Sequence, residues 1–146
     1  MFDSFVSIFK KKSKENLENY SILFIDDSEM DRRFIERIFT KRNFRVFLSA
    51  DGEAGLEAAA KEKPDLILLD IVLPGISGIE VCKKLKKDEK TKDIPVVFLT
   101  GMDTPKNLID CYEYGAEDFL NKSIHPKALI SQVEQVIKDC SSGQNS

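Results

Sequence analysis

Asp26 and Asp27 stand side by side at the end of the apolar run Ile22–Ile25. Adjacent carboxylates repel and raise each other's pKa, and a hard divalent cation such as Mg²⁺ relieves that repulsion. A third carboxylate, Asp70, follows Leu66-Ile67-Leu68-Leu69, a hydroxyl at Thr100 follows Val96–Leu99, and an ammonium at Lys122 follows Phe119-Leu120-Asn121. Each has an ordinary alternative. Asp27 and Ser28 suit the start of a helix. Asp70 suits a turn before Pro74-Gly75, Thr100 a β-branched strand end, and Lys122 a solvated surface. Taken together, a carboxylate nucleophile, a cation site, a hydroxyl and an ammonium are the parts of a phosphoryl-transfer site.

Five runs read as buried strands: Ile22–Ile25, Arg45–Leu48, Leu66–Leu69, Val96–Leu99 and Asp118–Leu120. The run Leu66–Leu69 is apolar throughout, as a strand covered on both faces must be. Between the runs lie helical patterns. Met30, Phe34 and Ile38, with Ile35 and Phe39, step by four residues and predict one apolar face. Glu53–Lys61 is rich in Ala and Glu. Ile79, Cys82 and Leu85 form a stripe, as do Leu129, Val133, Val136 and Ile137. Thr104-Pro105 is a helix-start pair and Gly115 a stop. Strand and helix therefore alternate five times, which predicts an α/β fold with a doubly wound parallel sheet. Open sheets of this kind bind ligands beyond the carboxyl ends of their strands, where all the candidate residues fall.

The bulk composition narrows the classes further. The chain has 146 residues, 42% hydrophobic and 32% charged, with a net charge of −3. That is enough for one buried core, and it gives no global attraction for nucleic acid. Cys82, Cys111 and Cys140 lack C-x-x-C spacing and read as reduced thiols of a cytoplasmic protein. No apolar run approaches the ~20 residues of a membrane span. The N-terminus puts its apolar residues before its lysines, the reverse of a secretory signal, and Phe2 excludes N-myristoylation.

The motifs around the candidate residues resemble the receiver domain of two-component response regulators. The resemblance covers roughly residues 20–140. It rests on Asp26-Asp27, on Asp70-Ile71-Val72-Leu73-Pro74-Gly75-Ile76-Ser77-Gly78, on Asp93-Ile94-Pro95-Val96, on Thr100-Gly101, and on Gly115-Ala116-Glu117-Asp118-Phe119-Leu120-Asn121-Lys122. It implies a flavodoxin-like five-stranded fold in which Asp70 accepts phosphate from a histidine kinase or a histidine phosphotransfer protein. It implies Mg²⁺, with Mn²⁺ as a substitute, held by Asp27 directly, by Asp26 through water, by Asp70 and by the backbone carbonyl of Val72. Thr100 and Lys122 then hold the phosphoryl oxygens, and Phe119 is the aromatic whose rotamer reports the switched state. Leu73 departs from the usual methionine. Ser123 departs from the usual proline after the lysine. A cis bond before serine costs about 2.5–4 kcal/mol, so either a trans bond with a rearranged loop or a strained cis bond is expected.

Residues 1–19 have no counterpart in that pattern. Phe2, Phe5, Val6 and Phe9 fit one helix face, and Lys10, Lys11, Lys12 and Lys14 follow. The segment is expected to be an extension that docks on a protein, touches anionic lipid or forms a plain leader. Residues 20–140 are the expected receiver domain and 141–146 a frayed tail. No direct DNA binding is expected, and the output protein is unidentified. The expected function is a single-domain switch acting in trans, with a phosphorelay intermediate as the alternative. A phosphatase of the aspartyl-phosphate class wants an acid two residues after its nucleophile, where this chain has Val72. A scaffold that is never phosphorylated would have no use for the full set of polar residues.

Overall fold

The computed structural model describes residues 20–101 and 104–141. The N-terminal extension, Met102 and residues 142–146 lie outside the described residues. Five strands, β1 (Ser21–Ile25), β2 (Arg45–Ser49), β3 (Leu66–Leu69), β4 (Val96–Thr100) and β5 (Asp118–Asn121), alternate with five helices. These are α1 (Glu29–Thr40), α2 (Gly52–Glu62), α3 (Gly78–Lys87), α4 (Pro105–Glu113) and α5 (Pro126–Ser141). The strands are all parallel and lie in the order β2-β1-β3-β4-β5. The chain first winds outward from β1 to β2, then crosses back to β3 and continues the other way. The switch point therefore lies between β1 and β3, and it opens a crevice at their carboxyl ends.

The strands supply both faces of the core by alternation. Ile22, Phe24, Leu66, Leu68, Val97 and Leu99 point to one side, where they meet Ile35 and Phe39 of α1 and Leu129, Val133 and Ile137 of α5. Leu23, Ile25, Ile67, Leu69, Val96 and Phe98 point to the other, against Ala59 of α2, Val81, Cys82 and Leu85 of α3 and Cys111 of α4. Each fully buried Leu, Ile or Phe contributes about 1.5–3 kcal/mol of transfer free energy, which anchors the central strands whose ends carry the site.

Capping follows the sequence cues. Ser28, Asp51, Ser77 and Thr104 each accept a hydrogen bond from the backbone N–H three residues on. Pro105 sits in the first turn of α4. Gly115 takes a φ of +100° just beyond it. His125 Nδ1 accepts from the N–H of Lys127 at the start of α5, a structural role. Ser141 belongs to the last turn of α5 rather than to a tail.

The apolar face expected on α1 is narrower than its sequence pattern. Ile35 and Phe39 are buried and Ile38 packs beside them, but Met30 is 79% exposed and Phe34 43%. Successive helical residues turn by about 100°, so the Met30–Phe34 row lies to one side of the row that meets the sheet.

Candidate functional site

Each candidate residue is delivered by the end of a strand. Asp26 and Asp27 follow β1, Asp70 follows β3, Thr100 ends β4, and Lys122 follows β5. Parallel pairing aligns these ends, because Ile25 lies opposite Leu69 and Thr100 opposite Asn121. Asp26 is fully buried, Asp70 is 5% exposed and Thr100 is fully buried, whereas Asp27 faces solvent.

The carboxylates are held by main-chain donors. Asp26 Oδ1 accepts from the Ser28 N–H at 2.8 Å, and Asp70 Oδ1 accepts from the Ile71 N–H at 2.7 Å. Arg32 Nη1 donates to the Asp26 carbonyl at 2.7 Å and ties α1 to the strand end. Gly78 is required for close approach: a Cβ there would sit 1.9 Å from the Asp70 carbonyl oxygen. The Gly78 N–H also donates to the Ile71 carbonyl at 2.7 Å. The loop from Asp70 to α3 is thereby folded back under the carboxylate.

Lys122 joins the group from the far side. Its Nζ lies 2.7 Å from Asp26 Oδ2, 2.8 Å from Asp31 Oδ2 and 3.0 Å from Asp70 Oδ2. Asp31 and Asp70 accept hydrogen bonds from it. Asp26 Oδ2 makes an ion pair with Lys122, and among the described residues it is the one buried side-chain polar atom that meets no partner in standard hydrogen-bond geometry. Burial opposes the charge on Lys122, but the Asp26, Asp31 and Asp70 carboxylates outweigh it and push its pKa up. Burial is also the main influence on Asp26 and holds its pKa above the ordinary carboxylate value, against the pull of Lys122 and the Ser28 N–H.

Asp26, Asp27 and Asp70 each present a carboxylate oxygen, and the three lie within 4.8 Å of one another. The bonding-deficient Asp26 Oδ2 and the all-oxygen donor set fit a hard divalent cation such as Mg²⁺. Val72 and Phe119 flank this group in sequence. Val72 is 54% exposed beside the site, and the half-buried Phe119 ring lies 6.5 Å from Phe98.

The path to Lys122 is ordinary. No cis peptide bond occurs among the described residues, so Lys122 and Ser123 are joined in trans. The loop is a short turn in which Asn121 Oδ1 accepts from the Ser123 N–H and the Asn121 carbonyl from the Ile124 N–H. No residue from Lys122 to His125 takes a positive φ. Of the two alternatives expected from Ser123 the bond is trans, and the lysine reaches its carboxylates from a backbone without positive φ.

Asp31 is the site residue that the strand-end search missed. It sits in the first turn of α1, four residues after Asp27. A helix that begins beside a strand end returns to that end after one turn, and this spacing was the available signal.

The fold and this arrangement define the class. The chain belongs to the response regulator receiver domain family, whose model matches residues 22–134. Response regulator PleD of Caulobacter vibrioides is 40% identical over 117 residues, covering 80% of this chain and 26% of PleD. The chain spans about a quarter to a half of the length of the curated relatives it matches. The BeF₃-activated N-terminal receiver domain of Klebsiella pneumoniae RstA superposes with a TM-score of 0.75 at 32% identity, covering 80% of this chain and 97% of that one. The Mn²⁺-bound form of response regulator Rcp1 superposes with a TM-score of 0.68 at 30% identity, covering 80% and 91%. No described helix is long and apolar enough to cross a membrane.

Proposed function

We propose that this receiver is a phosphoacceptor switch in which Asp70 takes a phosphoryl group from a phosphohistidine of a kinase or phosphotransfer protein. The observation that carries this reading is the convergence on Asp70, nearly buried at a strand end, of one ammonium and two further carboxylates. An Asp70 carboxylate oxygen attacks phosphorus in line as the P–N bond breaks; the donor ring, already protonated on its other nitrogen, keeps the bonding pair and leaves as neutral imidazole. Asp26, Asp27 and Asp70, with the Val72 carbonyl, would hold Mg²⁺ or Mn²⁺. Bound there, the ion supplies positive charge to the phosphoryl oxygens. Lys122 and Thr100 hold the remaining oxygens, and their movement toward them re-packs Phe119.

This reading makes the protein a signalling switch and not a turnover enzyme. The position two residues after Asp70 is Val72, which can neither donate nor accept a proton. Residues 20–140 form the switch, residues 1–19 precede it as an extension, and signalling takes place in the cytoplasm. The test is transfer of labelled phosphate from a phosphorylated histidine phosphotransfer protein in the presence of Mg²⁺. Label should move to the wild type and not to Asp70→Asn. Hydrolysis of a simple phosphate ester in repeated turnovers would overturn the reading in favour of a phosphatase.

A further inference from the structure

Lys122 Nζ touches three carboxylates, and two of them, Asp26 and Asp70, belong to the candidate cation site. The ammonium and a divalent cation therefore compete for the same carboxylates, and they also repel each other. The third carboxylate, Asp31, comes from α1 and is not among the three residues grouped for the cation. Its backbone is fixed by the N-cap, since its N–H donates to Ser28 Oγ at 3.2 Å. Its side chain is 39% exposed, so it carries charge at the mouth of the crevice without the cost of full burial.

We infer that Asp31 is a positioning residue: it gives the Lys122 ammonium an acceptor outside the cation site and so lets Asp26 and Asp70 receive a divalent cation. The inference rests on the metal-dependent reading above and adds to it a residue that sets cation affinity. With Asp31 in place, Lys122 exchanges its contacts to Asp26 and Asp70 for a hold on α1 as the cation arrives. Without Asp31, the ammonium has only the cation's own ligands and remains on them. The neighbouring Arg32 cannot substitute, because it is itself a cation and its Nη1 is engaged by the Asp26 carbonyl.

A plain alternative is that Asp31 attracts any cation through space, or serves only the α1 dipole. A double-mutant cycle separates these roles, because through-space attraction does not need Lys122. The probe is Mn²⁺ alone, with free ion measured by electron paramagnetic resonance at fixed ionic strength. The full chain is compared with Asp31→Asn, Asp31→Glu, Lys122→Ala and Asp31→Asn/Lys122→Ala. Asp31→Asn should weaken Mn²⁺ binding by roughly 3–10-fold, and in the Lys122→Ala background the same change should cost less than about twofold. Asp31→Glu should recover most of the affinity, and circular dichroism should show every variant folded. An equal loss in both backgrounds, or no loss at all, overturns the role of Asp31 while leaving the cation site standing. No Mn²⁺ binding by the wild type overturns the metal reading itself, and the inference with it.

Discussion

Lys122 Nζ lies 2.7 Å from Oδ2 of the fully buried Asp26 carboxylate. Among the described residues, Asp26 Oδ2 is a buried carboxylate oxygen whose contact with the ammonium is an ion pair. That contact is the one a divalent cation would have to share or displace.

Removing the ammonium exposes the repulsion it masks. Lys122→Ala leaves Asp26, Asp31 and Asp70 close together without a counter-charge. Loss of one partner of a largely buried ion pair costs about 3–5 kcal/mol, and the partial exposure of Lys122 reduces this to about 1–3 kcal/mol here. Urea unfolding should show that loss in the absence of divalent cations and a smaller one in millimolar Mg²⁺. Phosphorylation of the variant should slow by about 10²-fold if Lys122 holds a phosphoryl oxygen.

Asp26 predicts a pH dependence of stability. Its pKa is higher in the folded protein than in the unfolded chain, chiefly through burial. The folded state therefore keeps a proton that the unfolded chain has already lost. Its destabilising contribution is absent below the ordinary carboxylate value, grows as pH rises to the raised folded value, and is fully present at neutral pH. Asp26→Asn should raise the melting temperature at pH 7 without metal by roughly 2–6 °C, and the gain should shrink as pH falls through that window. A gain that stays constant from pH 7 down to pH 3 would contradict the assignment.

Gly78 tests the link between backbone packing and the site. A methyl group there meets the Asp70 carbonyl oxygen at 1.9 Å, so the loop or α3 must move. Gly78→Ala should cost about 1–3 kcal/mol, as overpacking against backbone does. The surviving folded protein should accept phosphate more slowly, because the Asp70 carboxylate turns with its backbone.

The lifetime of the phosphorylated state depends on what flanks the water that attacks it in line. By motif spacing the side chains to test are two residues after Asp70 and two after Thr100, Val72 and Met102, the latter outside the described residues. Val72 is apolar and exposed beside the site, and neither side chain orients water by a strong hydrogen bond. After the donor is removed, phosphate should be lost over minutes or longer, and Val72→Asn with Met102→Glu should speed the loss by about tenfold, or 1.4 kcal/mol of barrier. Decay within seconds in the wild type would contradict this.

Much of this was legible in the sequence because the chain obeys simple rules at its strands. Leu66–Leu69 is apolar at every position and fully buried, so both its strand and the carboxylate at its end could be read directly. Asp26, Asp70, Thr100 and Lys122 were placed by that logic and lie together at the aligned strand ends. The apolar face of α1 was only partly legible, since Met30 and Phe34 follow the helical period yet stay exposed. A hydrophobic pattern states which residues could be buried and not how much sheet there is to cover them. Asp31 was missed because the search stopped at the strand ends; its spacing of four residues after Asp27, one turn into the following helix, was the signal that a helix residue could return to the site. The link after Lys122 is trans, and Lys122 still meets three carboxylates, which the cost of a cis bond alone does not reveal.

The most direct test of the central claim is the mass of the intact protein after incubation with acetyl phosphate and Mg²⁺. The account predicts addition of one phosphate to the wild type, its prevention by EDTA, and no addition to Asp70→Asn. Undiminished labelling of Asp70→Asn would contradict it.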